Sequence, residues 1–517
     1  MTEAKSEYNA KIFWALLIVA FITRLCGLSL LPMGLNQDEA FSGYEAFSLL
    51  HGGTDSWLHR FPIYFTSWGS GANVLYSYLT VPFMALLGPE IWVMRLPQAI
   101  LGFMSCYIFY LTLKRIYNLN TALIGLFFIT ASPWHIMLSR WGLEANVAVF
   151  FLLTGFYFFT RATENSKYLY LSAVFYGLGL YTYALCAPFI TIVFALQLLY
   201  WLCQKFNRHT LLCVIISGTV FMLFAIPLIL LVLVNNDIIP AIHTPYFSIP
   251  KLVYWRSGEI GFNDFALKLD ALKRVLIFGD DYLITNRLKP FGIFYPFSII
   301  LVGVGLILLI KQSVKDIRQH RFSFSACITL QIILGMIYAT LLYPCINRLN
   351  FLWLNLLIAL VITITVLPKK ICALALAAYT IGFILFAHTY ITSYNHTAAE
   401  NFTPDFSKAL TTAEDIHRQT NLPIVILEQP TNFPKVLFLS KISNLEFQQT
   451  VQWRNYPASY LEARSFSHYI FLSDFNYANI PTDAIYIAPQ KHRYYFYQFT
   501  VIPKGALIVA VPQSPVM

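Results

Sequence analysis

Two adjacent carboxylates, Asp38 and Glu39, follow the first hydrophobic segment of the chain by a few residues. A carboxylate near a membrane surface can accept the proton of an attacking hydroxyl, which is the work of a general base. Asn36 and Glu39 match a helix capping box, and Gly52-Gly53 matches a helix stop, so the sequence predicts a helix that runs to about His51. In that helix Glu39 caps the backbone.

Helical spacing separates the two carboxylates, because adjacent side chains point about 100° apart. Asp38 then shares a face with Ser42 and Glu45, whereas Phe41 and Tyr44 lie on another face. The pattern predicts an amphipathic helix that lies on the membrane surface. Asp38 is the carboxylate left to face a site.

The residues that follow, 54–76, combine two glycines, one proline, two tryptophans and the basic pair His59-Arg60. Glycine permits close approach of the backbone, and aromatic rings offer apolar faces on which sugars can stack. This composition suits a loop that contacts a sugar or a phosphate. An interfacial belt of aromatic residues is the alternative for the two tryptophans.

The composition indicates a membrane protein with many spans. The chain has 517 residues, of which 57% are hydrophobic, 17% aromatic and only 12% charged. Its formal net charge of +10 arises mainly from residues in short gaps between apolar runs. Such charges orient membrane helices, so we do not expect nucleic-acid binding. The eight cysteines lie in or beside apolar runs, with no spacing that indicates zinc or disulfides.

Eleven apolar segments are long enough to be predicted as membrane spans. They lie at 12–31, 92–113, 119–137, 143–160, 168–182, 184–203, 209–234, 291–310, 324–343, 349–367 and 370–390. A further piece, 73–88, would make a twelfth crossing. If it does not cross and the N-terminus is inside, the strongly basic short loops all fall on the cytoplasmic side. We therefore predict that 73–88 is a juxtamembrane or re-entrant helix.

With this topology, the loops 32–91 and 235–290 and the tail 391–517 lie on the extracytoplasmic face. The tail has a polar helical stretch, Asp405 to Thr420, and short strand-like runs at 424–427, 468–472, 484–488 and 506–511. Proline, asparagine and aspartate separate these runs. The sequence thus predicts a membrane domain, 1–390, and a small soluble α/β domain, 391–517, without a catalytic motif of its own.

Several motifs together resemble a known family. They are Gly34-Leu-Asn-Gln-Asp-Glu-Ala, Gly43-Tyr-Glu-Ala, Pro62-Ile-Tyr-Phe-Thr-Ser-Trp-Gly-Ser-Gly, Arg95-Leu-Pro, and Ser132-Pro-Trp-His-Ile-Met-Leu-Ser-Arg-Trp-Gly-Leu-Glu. In this order they resemble the bacterial members of the superfamily of dolichyl-phosphate-mannose protein mannosyltransferases and aminoarabinose transferases (PMT, glycosyltransferase family 39). The resemblance implies a GT-C fold with about 11–13 transmembrane helices, juxtamembrane helices in the first external loop, and an extracytoplasmic C-terminal domain.

The resemblance also implies an activity. Members of the family move a sugar, a hexose or a pentose, from a polyprenyl-phosphate carrier to an acceptor on the extracytoplasmic side, usually with inversion. For this chain we expect a bacterial inner (plasma) membrane location and an acceptor that is a lipid, a glycan or a protein. Asp38 is the expected base, Glu39 its cap or hydrogen-bonding partner, and Glu144 a carboxylate that orients the acceptor.

Four basic residues are candidates for the donor phosphate: Arg60, Arg140, Lys289 and Arg348. Arg348 stands out because it lies in a short external loop, where positive charge is otherwise avoided. A contact with a lipid headgroup is its alternative role. Some relatives have Lys-Pro-Pro or His-Pro-Pro at Arg60-Phe-Pro62, so Arg60 departs from the family pattern. Arg24 and Arg95 lie near or within spans and need buried partners.

Four residues of the first loop are predicted to contact the substrates: His59, Tyr64, Trp68 and Asn73. A divalent metal is a further candidate component, because carboxylates of two loops, with Asp38 among them, could converge with His59 or His135. No fixed ligand spacing is present.

Two other classes of protein fit parts of the sequence. A multi-span transporter or flippase for lipid-linked glycans would place ionisable groups near the bilayer midplane and show repeated halves. The sequence shows no clear internal repeat, and its carboxylates cluster in external loops. A membrane receptor or assembly factor would account for the tail but not for the Asp38-Glu39 helix. The transferase accounts for more residues at once.

Overall fold

The fold is described from a computed structural model that covers residues 2–204, 206–256, 258–427 and 432–513. Within these residues, eight helices are long and apolar enough to cross a membrane. The helices of the membrane part are α1 (Thr2–Leu25), α2 (Gln37–Gly52), α3 (Leu75–Leu87), α4 (Ile91–Ile116), α5 (Leu119–Thr130), α6 (Pro133–Leu138), α7 (Glu144–Arg161), α8 (Tyr168–Gly179), α9 (Ala187–Gln204), α10 (Arg208–Asn235), α11 (Phe265–Phe278), α12 (Ser298–Arg318), α13 (Phe324–Leu341), α14 (Asn350–Val366) and α15 (Lys369–Thr397).

A helix lies at each of the eleven predicted spans, but three boundaries differ for local reasons. The first helix ends at Leu25, and Gly27 adopts a φ of 66° in the turn that follows. The segment 119–137 is broken before Pro133 into α5 and α6, because proline disfavours helix at the preceding residue. The span predicted at 291–310 begins only at Ser298, just after Pro296.

Helix α3 is the segment whose crossing decides the predicted topology. It has 13 residues, so it is about 20 Å long, against about 30 Å for the hydrocarbon core of a bilayer. It lies between α2 and α4 and packs against both. The number and direction of the crossings remain predictions.

The predicted helix after the acidic pair is present as α2. Asn36 caps it in a complete capping box with Glu39, and Gly53 ends it with a φ of 63°. The prediction that α2 lies exposed on the membrane surface is wrong, because most of its residues are buried on both faces. A helix of the C-terminal part covers it: the Phe438 ring approaches Gly43 so closely that a Cβ there would lie 2.9 Å from the ring.

The predicted α/β domain is present in the tail. Its helices are α16 (Ala399–Phe402), α17 (Phe406–Thr420), α18 (Phe433–Leu439) and α19 (Asn444–Thr450). Its strands are β3 (Ile424–Leu427), β4 (Gln452–Trp453), β5 (Ala463–Phe466), β6 (Tyr469–Leu472), β7 (Ile485–Pro489), β8 (Phe499–Lys504) and β9 (Leu507–Pro512). Strands β1 (Ile242–His243) and β2 (Ser248–Ile249) form a separate hairpin in the loop before α11.

The strand order of the large sheet is β4-β5-β6-β3-β7-β9-β8. The central strand β3 is parallel to β6 and β7, and the outer pairs are antiparallel. All four predicted strand-like runs are strands. One hydrophobic cluster continues from this sheet through α18 into α2 and the first loop, where Trp68 and Phe433 are in edge contact. The tail therefore packs directly on the segment that carries the acidic pair.

Candidate active site

A cavity of about 680 Å³ lies where the first loop, the start of α7, the loop before α11, the turn before α14 and the C-terminal domain meet. Six of the predicted site residues line it: Asp38, Tyr64, Trp68, Asn73, Glu144 and Arg348. Pockets for small ligands typically have volumes of about 300–1,000 Å³. The cavity is therefore large enough for a sugar and the group that carries it.

Asp38 reaches the cavity from the first turn of α2. Its backbone amide donates to the Asn36 side chain at 2.9 Å, so the cap fixes the start of the helix. Burial, and next the charge of Glu39, raises the pKa of Asp38 to about 6. A carboxylate with this pKa is ionised at neutral pH and more basic than a free aspartate, which suits proton acceptance.

Glu39 points away from the cavity. Its oxygens receive two hydrogen bonds from the Arg95 guanidinium, at 2.8 and 2.7 Å, and both side chains are fully buried. The Gly142 amide donates to the same carboxylate at 2.7 Å, and the Asn36 amide does so at 3.1 Å. The prediction that Glu39 caps the helix is confirmed. A role for it in contact with substrate is not supported, since its acceptor sites are occupied by the protein.

Glu144 is the first residue of α7. Its carboxylate accepts a hydrogen bond from the backbone amide of Asn73. This bond joins the start of α7 to the first loop at the wall of the cavity. Asp38 and Glu144, which are 106 positions apart in the sequence, thus line one site.

The four candidate phosphate ligands have different surroundings. Only Arg348 lines the cavity, half-buried, with a long contact of 3.5 Å to the Tyr343 carbonyl. Arg140 is buried and donates to the carbonyls that end α1, including that of Cys26 at 2.8 Å. Arg60 and Lys289 are exposed and do not line the cavity. The structure thus places Arg60, Arg140 and Lys289 outside the cavity, and Arg140 binds backbone carbonyls there.

Aromatic rings form one wall of the cavity. Trp68 stacks on Tyr460 of the C-terminal domain with a centroid distance of 4.8 Å and an interplanar angle of 9°. Gly69 makes this approach possible: its φ is 110°, and a Cβ would lie 2.6 Å from the Ala458 carbonyl oxygen. A Cβ at Gly71, whose φ is 91°, would lie 2.3 Å from the ring of Tyr64. The two glycines thus accommodate neighbouring parts of the protein, and Gly71 also lines the cavity.

His59 does not line the cavity. Its backbone amide and its ring nitrogen Nδ1 contact the carboxylate of Asp55, at 2.7 and 3.2 Å, and its ring stacks near His243. Among the described residues, no three His, Cys, Asp or Glu side chains converge as a set that could hold a metal ion. The pair Asp38 and His59 is thus not brought together as ligands, and a metal requirement remains a prediction.

The sequence analysis missed several residues that line the cavity or lie behind it. Arg256, Trp255 and Glu259 come from the loop before α11, and Tyr460 comes from the tail. Lys435 of α18 is buried close behind Asp38 and Glu39. Arg256 is one of seven lysines and arginines in the predicted external loop 235–290, so its charge alone does not single it out. Nothing in the sequence near Tyr460 or Lys435 connects them with the acidic pair.

The cavity thus combines the carboxylate of Asp38, two further carboxylates, two arginines and aromatic faces. This combination can accept a proton, balance phosphate charge and hold a sugar ring. It fits the transfer of a sugar that leaves a phosphate.

Comparison with known proteins agrees with this interpretation. A sequence model of the family described as dolichyl-phosphate-mannose-protein mannosyltransferase matches residues 73–234. The structure of ArnT from Cupriavidus metallidurans in the apo state is similar, with a TM-score of 0.57, 11% identity and 98% of each chain covered. The same protein bound to undecaprenyl phosphate gives a TM-score of 0.56 with 11% identity and the same coverage. No curated protein matches the chain by sequence.

The fold and the family match define the class of the protein, an integral membrane glycosyltransferase with a GT-C fold. At 11% identity the likeness to ArnT is one of fold, whereas the family match is one of sequence. The predicted resemblance to the superfamily of dolichyl-phosphate-mannose protein mannosyltransferases and aminoarabinose transferases is therefore confirmed.

Proposed function

We propose that the protein transfers a sugar from a polyprenyl-phosphate donor to an acceptor hydroxyl or amine on the extracytoplasmic face of a bacterial inner membrane. The observation that carries the proposal is the cavity that Asp38, Glu144 and Arg348 line together. ArnT, which has the same fold, binds undecaprenyl phosphate. This supports a lipid phosphate as the donor's leaving group.

Asp38 is the proposed general base. The acceptor oxygen or nitrogen attacks the anomeric carbon, and the bond between that carbon and the phosphate oxygen breaks with its electron pair going to the phosphate. Asp38 takes the acceptor's proton as the new bond forms. A single displacement of this kind inverts the anomeric configuration. A phosphate is a good leaving group, so no carboxylic acid is needed to protonate it.

Arg348 and Arg256 supply the positive charge on the side of the leaving group. Arg348 approaches from the turn before α14, and Arg256 from the loop before α11. An arginine can bind two phosphate oxygens at once, and it stabilises the charge that develops on the departing phosphate. Arg256 also donates to the Ser459 carbonyl at 3.2 Å, which connects this loop to the C-terminal domain.

An apolar groove of about 330 Å³ is the proposed site of the polyprenyl chain. It lies between the first loop, α3, α8 and α10, and Pro62, Tyr78, Tyr181 and Phe224 line it. Residues 62 and 63 belong to this groove, and Tyr64 belongs to the cavity. A lipid in the groove would therefore place its phosphate toward the cavity.

Binding of undecaprenyl phosphate to the purified protein tests the donor site. We expect Arg348→Gln to weaken this binding by about tenfold or more, since a charge-assisted hydrogen bond contributes about 1.5–3 kcal/mol. Lys289→Gln is the matched control, because Lys289 is exposed outside the cavity. Native mass spectrometry can compare the bound fractions. Equal binding by both variants would remove Arg348 from the phosphate site.

A further inference from the structure

Lys435 is a buried lysine whose direct contact is with a neutral group. It lies in α18 of the C-terminal domain with 2% of its surface exposed. Its ammonium donates to the Thr403 hydroxyl at 2.9 Å. A buried ammonium is costly unless negative charge compensates it. A carboxylate close by would offset this cost.

The contacts of residues 401–404 place this ammonium beside the start of α2. The Leu35 amide donates to the Phe402 carbonyl at 2.6 Å. Gly34, with a φ of 91°, lies so close to this turn that a Cβ would be 2.2 Å from the Phe402 carbonyl oxygen. The turn at 401–404, which accepts the hydrogen bond of Lys435, thus lies against the residues that precede Asp38.

The positive charge of Lys435 beside the first turn of α2 needs a nearby negative charge to stabilise it. The start of a helix is itself electropositive, so a cation there is unfavourable. Two carboxylates, Asp38 and Glu39, lie in the same first turn. Glu39 already has Arg95 as its counter-charge in a direct ion pair. Asp38 is the carboxylate left to compensate the ammonium.

We propose that Lys435 is a positioning residue whose ammonium serves as the counter-charge of Asp38, so that the C-terminal domain completes the catalytic site. The inference rests on Asp38 as the proposed base. It assigns the domain a part in the reaction itself, in addition to any part in binding the acceptor.

The electrostatics of the cluster agree with this assignment. The groups around Asp38 are Glu39 and its partner Arg95, Glu144 across the cavity, Tyr460 and Lys435. Burial lowers the pKa of Lys435 to about 7, and the charges of Glu39 and Asp38 oppose that fall. In turn, Lys435 opposes the rise in the pKa of Asp38. Loss of the ammonium should therefore raise the pKa of Asp38.

The test is an infrared titration of the Asp38 carboxyl group in the full-length protein in detergent. The Asp38 band is identified by its absence in Asp38→Asn. We expect Lys435→Met to move the midpoint upward by about one pH unit, as loss of a nearby opposite charge does. Lys435→Arg keeps the charge and should restore the midpoint. Lys408→Met removes an exposed lysine of the same domain and is the matched control.

An unchanged midpoint in Lys435→Met, or the same shift in Lys408→Met, would overturn the proposal. Lys435→Gln replaces Lys435→Met if the latter does not fold. The titration requires no substrate, so its result does not depend on whether Asp38 is the general base. The assignment of Asp38 as the base is tested separately, and it fails if Asp38→Asn retains transfer activity. Where transfer is measured, the acidic limb of kcat/KM should shift with the infrared midpoint.

Discussion

Glu39 and Arg95 form a fully buried ion pair with two hydrogen bonds, of 2.8 and 2.7 Å, between the first turn of α2 and the start of α4. The same guanidinium donates to the carbonyls of Leu28 and Pro32, each at 2.7 Å. Arg95 therefore holds the chain that leads from α1 to the acidic pair. Of two adjacent carboxylates, one is fixed in the protein and the other faces the cavity.

Removing one partner of this pair should destabilise the protein. We expect Arg95→Leu and Glu39→Leu each to cost about 3–5 kcal/mol, because each leaves an uncompensated buried charge. The double variant should cost less than the sum of the two. Thermal unfolding in detergent measures all three. Additive effects would show that the two side chains do not depend on each other.

Arg140 and Arg348 should respond differently to substitution. Arg140→Leu leaves four carbonyl groups, in the last turn of α1 and in the segment after it, without their donor, including those of Thr23 and Leu31. We expect the free energy of unfolding to fall by about 3 kcal/mol or more. Arg348→Leu should change the melting temperature little, since its guanidinium faces the cavity. Equal melting temperatures for the two variants would contradict this division of roles.

The contact between the first loop and the C-terminal domain depends on Gly69. Gly69→Ala should destabilise the protein by about 1–3 kcal/mol, because a side chain is strained at a φ of 110° and meets the Ala458 carbonyl oxygen. The control is Gly218→Ala in α10, where a Cβ meets nothing within 4 Å. Differential scanning fluorimetry compares the two. A stable Gly69→Ala variant would argue against close docking of the domain.

Local signals in the sequence predict much of this fold. The capping box at Asn36 and Glu39, the apolar spans and the strand runs of the tail each depend on neighbouring residues, and each is present. Helix α2 is buried rather than exposed because a distant helix, α18, covers it. A pattern of polar and apolar residues does not reveal which later segment will pack on a helix.

The sequence predicted those residues of the candidate site that lie in recognisable motifs. Asp38, Trp68 and Glu144 lie in motifs of the loops predicted to be external, and all three line the cavity. Arg140 lies in such a motif too, yet it holds the end of α1. Charge alone does not distinguish an arginine that binds backbone carbonyls from one that faces a ligand. Tyr460 and Lys435 reach the site only through folding of the tail, so no local pattern marks them.

Asp38 should also destabilise the fold in which it acts. Its pKa is about 6 in the folded protein and about 3.9 in an unfolded chain. Its ionisation therefore opposes folding, and stability falls as pH rises between these two values. Asp38→Asn should remove this penalty, at most about 3 kcal/mol. The variant's melting temperature should exceed that of the wild type at pH 7.5, and the difference should narrow toward pH 4. A lower melting temperature at pH 7.5 would contradict the prediction.

The most direct test of the proposed mechanism is sugar transfer by Asp38→Asn. Wild type, Asp38→Asn and Glu144→Gln are incubated with a panel of synthetic polyprenyl-phosphate pentoses and hexoses and a bacterial membrane extract as the acceptor source. Release of polyprenyl phosphate that depends on the acceptor is measured. We expect Asp38→Asn to lower the rate by about 10²–10⁴-fold, the usual contribution of a general base, while the protein stays folded. Transfer by folded Asp38→Asn at the wild-type rate would contradict the assignment of Asp38 as the general base.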